Sequence, residues 1–198
     1  MPPESGWGRV GGYWTVIRER YELACLDIEP CEKLAGLKRI MIEYRVTKYD
    51  PALRDARGAY TADEWILFKQ IGSSFGGVVL TESEYLRVEQ AYIDSATAFL
   101  LEGGVNYLTV EGIENPKRLA LEFGERSVLS LERVGDVIRR MLREELWCRL
   151  EGQGGFVHIG WDYYMYIGVP HRCPKAELLS EELGLYPEEF ASPYKGAR

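Results

Sequence analysis

Alternation of apolar and polar positions is the first signal along the chain. Ile40, Ile42, Tyr44 and Val46 alternate with Met41, Glu43, Arg45 and Thr47, the period of a half-buried strand within residues 37–49. A denser window runs from Trp147 to Val169, where aromatic, β-branched and glycine residues concentrate. Gly154-Gly155 and Trp161-Asp162 divide it into runs at 148–150, 156–159 and 163–169, which predicts three strands joined by tight turns, a β-meander. With the second turn at Trp161-Asp162, residues Val157, Ile159, Tyr163, Met165 and Ile167 share one face, and His158, Tyr164 and Tyr166 share the other.

Helical spacing governs two other segments. Over 81–101, Thr81 is placed to cap, Glu84 to complete a capping box and Gly103 to stop the helix. Tyr85, Val88, Tyr92, Ala96 and Phe99 form its core stripe, with Leu86, Ile93 and Leu100 widening it, while Glu82, Glu84, Glu89 and Asp94 fall on an acidic outer face. After Ser130, Leu131, Val134, Val137, Ile138, Met141, Leu142 and Leu146 make a second buried stripe. Its opposite face carries Arg133, Arg139, Arg140 and Arg143, with Asp136–Arg140 and Arg140–Glu144 spaced as local ion pairs. On this reading Leu142→Ala costs about 2–5 kcal/mol and Arg143→Ala far less.

The remaining signals are shorter. Residues 1–12 are rich in Gly and Pro and read as a flexible lead-in. Residues 13–28 favour a helix, although Tyr13, Thr15 and Ile17 also alternate. A polar connection over 50–63 precedes a strand candidate at 65–71 and a turn at Gly76-Gly77. Another strand is predicted at 105–113, broken by Asn115-Pro116. Pro174 opens a short helix stopped by Gly184, and Tyr186, Phe190 and Tyr194 are spaced for a final extended segment to dock on the sheet. The predicted fold is α+β, one domain over 13–198: an antiparallel sheet with a C-terminal β-meander, packed on one face by two amphipathic helices.

Composition narrows the function. The 198 residues carry 24 basic and 31 acidic side chains, a net charge of −7, which argues against binding nucleic-acid backbone or anionic membrane and suits a basic partner. No secretory signal or membrane span is evident, so the expected location is cytoplasmic. Cys25, Cys31, Cys148 and Cys173 are too irregularly spaced for a disulfide framework. His171-Arg172-Cys173 is the nearest approach to a zinc site, but no CxxC pair accompanies it, so neither a metal nor a cofactor is expected. Cys148 with His158 is a conceivable nucleophile–base pair on adjacent strands, though a buried structural thiol is the commoner arrangement.

Four strings carry a resemblance: DEWxxxxxIGxxFxGxxLTxxEYLRVExxY over 63–92, EELWCRLEG over 144–152, FVHIGWDYYMYIG over 156–168 and GLYPEEFASPY over 184–194. Together they resemble small uncharacterised bacterial proteins of the immunity type, which neutralise toxins by binding. That resemblance implies a stoichiometric binding role toward a toxin-like basic protein and carries no catalytic residue. The expected partner-binding residues are His158, Asp162, Tyr164 and Tyr166 on the meander, with Glu188 and Glu189 steering approach. The alternative is an enzyme or small-ligand binder with a pocket near His158, Asp162 and Tyr164.

Overall fold

Register between neighbouring strands organises the structure, a computed structural model that describes residues 41–160 and 162–195, within a unit spanning Arg39–Arg198. Seven strands form one antiparallel sheet: β1 (Ile42–Thr47), β4 (Tyr107–Glu114), β5 (Val128–Ser130), β6 (Trp147–Glu151), β7 (Phe156–Ile159), β8 (Met165–Val169) and β9 (Tyr186–Glu189). Their order is β5-β4-β6-β7-β8-β1-β9, so the meander β6-β7-β8 lies in the middle, flanked by β4 and β1. A separate hairpin pairs β2 (Ser74–Phe75) with β3 (Val78–Val79) across the Gly76-Gly77 turn. The lead-in at 1–12 and the helix expected at 13–28 lie outside the described residues.

Three helices supply the cover. α1 (Glu82–Glu102) starts where the sequence placed it, the Glu84 amide donating to Thr81 Oγ1 over 3.1 Å, and packs against β8, α2 (Leu131–Leu142) and α3 (Pro174–Glu182). Every residue from Ala91 to Leu100 is buried, so the second half of α1 is not two-faced. The small residues Ala91, Ser95 and Ala98 permit that close packing, and the Ser95 and Ser180 hydroxyls meet at 2.6 Å between α1 and α3. Beneath the helices, Leu108, Val110, Cys148, Leu150, Val157, Ile159, Met165, Ile167, Val169, Tyr44 and Val46 form the apolar sheet face. Gly168 is fixed by its neighbour: the Phe156 ring of the adjacent strand lies where a side chain at 168 would go.

Several expectations change. The strand expected at 65–71 is a turn of 3-10 helix, Phe68–Gln70, because the Gln70 side chain accepts the Ile66 and Leu67 amides at 2.7 and 2.9 Å and no neighbouring strand is needed. Leu86 is exposed rather than part of the stripe. Glu89 and Asp94, expected on a solvated face, are buried. Glu89, at 3% exposure, accepts two bonds from Arg143 of α2 at 2.6 and 2.7 Å, with Arg139 at 3.4 Å. The arginines therefore do not pair as expected: Arg139 also meets Asp136, Arg140 meets Glu145, and Arg143 reaches across to α1. Among the described residues, no helix is long and apolar enough to cross a membrane.

Candidate functional site

The sheet face opposite the helices is polar, and the register lines its side chains into one row. Glu111 pairs with Arg149, His158 with Tyr166, and Arg45 with both Tyr166 and Glu188. Extending the β6–β7 pairing by one step sets Arg149 opposite His158, so the row crosses six strands from β4 to β9. Over this row lies the segment after β9. The Phe190 amide donates to Glu43 O at 2.9 Å, the Ser192 amide to Glu43 Oε2 at 2.9 Å, and Lys195 pairs with Glu43. The Tyr194 ring meets His158 and Tyr166 edge-on at 6.1 and 5.8 Å, so the expected docking of this segment does occur.

That cover removes part of the expected interface. His158 is fully buried, stacked on Phe156 at 4.3 Å, with Nε2 2.9 Å from Glu151 Oε1 and Nδ1 2.8 Å from Ser192 Oγ. Tyr166 retains only 8% exposure beneath Phe190 and Tyr194. Glu188 is not a free steering charge: Arg54 grips it with bonds of 2.8 and 2.7 Å, Arg45 adds one of 3.0 Å, and these guanidiniums hold its carboxyl below the usual range. Glu189 is exposed and paired with Arg172. Asp162 is exposed and Tyr164 half-buried, as an interface requires. The pocket residues expected together are separated in role, since both bonds of His158 go to Glu151 and Ser192.

Asp162 stands at the tip of the β7–β8 turn, and the turn is held from below. Tyr49 donates to the Asp162 carbonyl at 2.9 Å and Tyr92 to the Tyr163 carbonyl at 2.7 Å, while the Gly160 amide donates to Tyr164 O at 2.8 Å. Tyr163 adopts a left-handed φ of 62°, rare for a residue with a bulky side chain. Its ring anchors that conformation, buried against Trp65 and Tyr92, with the hydroxyl donating to Leu142 O at 2.8 Å. Burial pushes the Tyr163, Tyr49 and Tyr92 hydroxyls above the ordinary tyrosine range, so all three remain neutral donors.

Beside this turn, the chain leaving α2 makes a second left-handed residue. The Glu144 amide donates to Met141 O at 3.0 Å and the Glu145 amide to Arg140 O at 2.9 Å, the pattern of a Schellman helix end, with Glu144 at φ 53° where glycine is the usual occupant. Between the two turns lies a shallow niche lined by Met141, Leu142, Glu144, Trp147, Ile159, Gly160 and Tyr163. Trp147 is fixed there by its indole N–H, which donates to Ile159 O at 2.8 Å, and by the Tyr194 ring 5.9 Å away. A Cβ at Gly160 would come within 2.9 Å of Tyr194 Oη and 3.0 Å of Asp162 Oδ1, so glycine keeps this rim open. Neither Glu144 nor Asp162 has a cationic partner among the described residues.

Sequence reasoning named Asp162 and Tyr164 and expected Tyr194 to dock on the sheet, but it did not single out Trp147, Glu144 or Gly160. The period that buries Cys148 and Leu150 does put Trp147 on the opposite face, and that signal was present. The antiparallel pairing of β6 with β7 was expected with the meander, but the left-handed end of α2 at Glu144, which turns the chain into β6 beside the β7–β8 turn, carries no glycine to announce it. Among the described residues, no group of three His, Cys, Asp or Glu side chains is placed to hold a metal ion. No protein family matches the chain, and the searches of curated proteins and of solved structures also found no match.

Proposed function

We propose that this is a stoichiometric protein-binding component of the immunity or inhibitor kind, working in a bacterial cytoplasm on a basic partner. The observation that carries the reading is the β7–β8 turn, where exposed Asp162 and half-buried Tyr164 sit on a backbone held by Tyr49 and Tyr92, beside the half-buried Trp147 and Tyr194 rings that pack together. Half-exposed aromatic side chains bury large area with few rotors, and a rigid turn loses little entropy on association. The net charge of −7 and the Asp162 carboxylate complement a basic surface. The chain produced in its native host should retain a protein partner that, once isolated, binds one-to-one and associates faster at low salt. Tyr164→Ala should speed its dissociation. An acidic partner, or a complex indifferent to Tyr164→Ala and Asp162→Asn, overturns the reading.

An enzymatic reading has one observation in its favour. The Glu151 carboxylate can only accept, so His158 Nε2–H donates to it, and in the neutral ring Nδ1 then accepts the Ser192 hydroxyl, whose oxygen also accepts the Tyr194 amide at 3.3 Å. Carboxylate, imidazole and hydroxyl thus stand in relay order. The hydroxyl faces inward, however, on a residue only 7% exposed, and this chain serves to fasten the C-terminal segment. Incubation with p-nitrophenyl acetate should leave Ser192 unmodified by mass spectrometry. An acetyl adduct lost in Ser192→Ala would establish the catalytic reading instead.

A further inference from the structure

We propose that residues 191–195 form a strap that lifts from the polar sheet face while the sheet and its three helices stay folded, so that His158 meets solvent only in the open state. The proposal needs no partner and stands apart from the binding reading. Connectivity is the first argument. The Phe190 amide, bonded to Glu43 O, makes the last backbone contact of this chain with β1. Beyond it the segment crosses the strands instead of pairing with one, its Tyr194 ring meeting Tyr166 on β8, His158 on β7 and Trp147 on β6. Beneath it, β6-β7-β8-β1-β9 is hydrogen-bonded strand to strand, so lifting the strap breaks no ladder bond. Its polar anchors to the sheet converge on two side chains: Glu43 accepts the Ser192 amide and pairs with Lys195, and His158 meets Ser192 Oγ.

What lies under the strap is the second argument. Ala191, Pro193 and Lys195 are exposed and Tyr194 is half-buried, so within 191–195 only Ser192 is buried and the cover is thin. The helices, by contrast, cover Val157, Ile159, Met165 and Ile167, apolar side chains whose exposure water penalises. The strap covers an imidazole that stays hydrogen-bonded without it. The bond of Nε2 to Glu151 lies within the sheet, and water can replace the Ser192 hydroxyl at Nδ1. Set against opening are the Tyr194 ring contacts and the Phe156 ring, 2% exposed beneath the Lys195 ammonium at 5.1 Å, which keep the closed state the major one. A cover with few buried atoms and no ladder bonds opens at lower free energy than the sheet it lies on. Whatever contacts the His158 imidazole must therefore select the open state.

The test uses the full chain and two covalent probes followed by peptide mass spectrometry, each rate being divided by that of the denatured chain. Diethyl pyrocarbonate modifies imidazoles, and the chain has two, His158 under the strap and His171 in the open. N-ethylmaleimide modifies Cys148, fully buried against Met141 of α2, and so reports global unfolding. His158 should react at least about tenfold more slowly than His171 and at least about tenfold faster than Cys148. Glu43→Ala removes the anchor of Ser192 and Lys195 from a strand two away from His158, and should raise the His158 rate about three- to tenfold. Ile138→Val weakens the packing of α2, which the open state retains and the unfolded state loses. It should raise the Cys148 rate about two- to tenfold and the His158 rate by less than about twofold. Equal rates for His158 and Cys148, or a matching rise of both in Ile138→Val, would mean that only global unfolding uncovers the imidazole. Equal rates for His158 and His171 would mean that nothing covers it, and a His158 rate unmoved by Glu43→Ala would mean that the strap is not what moves. Each of these results overturns the proposal.

Discussion

Glu89 and Glu144 both neighbour Arg143, one across the α1–α2 contact and one along the chain, and the fold treats them differently. Glu89, buried on α1, accepts both bonds of Arg143 and sits 3.4 Å from Arg139. Glu144, the residue after Arg143, has no cationic partner among the described residues and occupies a backbone conformation that suits glycine. The first carboxylate is part of what holds α1 to α2; the second adds nothing visible to the fold and carries a backbone strain. The same contrast separates Glu188, gripped by two arginines, from Asp162 at the turn tip. Glu89 and Glu188 are saturated internally, whereas Glu144 and Asp162 have no cationic partner among the described residues. Each variant below removes a partner from one class or the other, and the sign of its effect should follow the class.

The largest effect belongs to the saturated class. Arg143→Ala leaves Glu89 buried with Arg139 as its remaining cation, and it should destabilise by about 2–4 kcal/mol in chemical denaturation. That brings it level with Leu142→Ala, expected to cost about 2–5 kcal/mol through the cavity it opens. From the sequence alone Arg143 was an exposed helix residue of small consequence. A midpoint for Arg143→Ala close to wild type would mean that the pair is solvated and that the contrast with Glu144 is false.

Below it comes the clamp on the polar face. Ser192→Ala removes the hydroxyl that His158 Nδ1 meets and should cost about 1–3 kcal/mol, the range for a buried polar atom left without its partner. Amide exchange should then accelerate at Tyr194, whose N–H loses Ser192 Oγ as its acceptor. Unchanged exchange would show that Glu43 and the aromatic contacts hold the segment without the histidine.

These two cases show where the sequence was readable. Strand β1, helices α1 and α2, and the meander with its two faces were legible because their apolar periods are uninterrupted. The helix period around Glu89 was legible too, but it says only which way a side chain points and not what packs there; α2 and α3 cover the face that the acids occupy. His158 and Tyr166 were assigned to the correct face for the same reason, and lost as surface because β9 beside β1 carries Phe190 and Tyr194 back across the meander. The niche was legible only on one side: the expected meander sets Trp147 beside the β7–β8 turn, whereas the left-handed end of α2 falls on Glu144 and not on a glycine.

Alkaline titration separates the buried Lys48, which is ion-paired with Glu64, from the buried thiols of Cys148 and Cys173. Burial pushes the Cys148 and Cys173 thiols up to about 12. Unfolded thiols ionise near 9, so stability is fully present below that pH and should fall by about 1.4 kcal/mol per pH unit per thiol above it. Lys48 acts in the opposite sense. Burial over Trp65 and Tyr49 lowers it to about 8 despite its pairing with Glu64, so its cost is present below pH 8 and is relieved as pH rises from 8 towards 10.5. Between pH 8 and 9 a slight gain in stability should appear and then reverse. Lys48→Met should abolish the gain, and Cys148→Ala with Cys173→Ala should soften the reversal. A monotonic fall from pH 8 in the wild type would show that Glu64 fully compensates the buried ammonium.

The smallest effect is the most discriminating, because its sign is opposite to all the others. Glycine at 144 relieves the left-handed backbone without removing any internal ion pair, so Glu144→Gly should leave the protein equally stable or more stable by up to about 1 kcal/mol. Asp162→Asn, at an exposed tip whose carbonyl and not carboxylate is bonded to Tyr49, should fall within about 0.5 kcal/mol of wild type. Chemical denaturation should therefore place the Glu144→Gly midpoint at or above that of wild type. Should it instead destabilise by more than about 1 kcal/mol, Glu144 would be contributing to the fold after all. It would then join Glu89 among the structural acids, and the difference between the two neighbours of Arg143 would vanish.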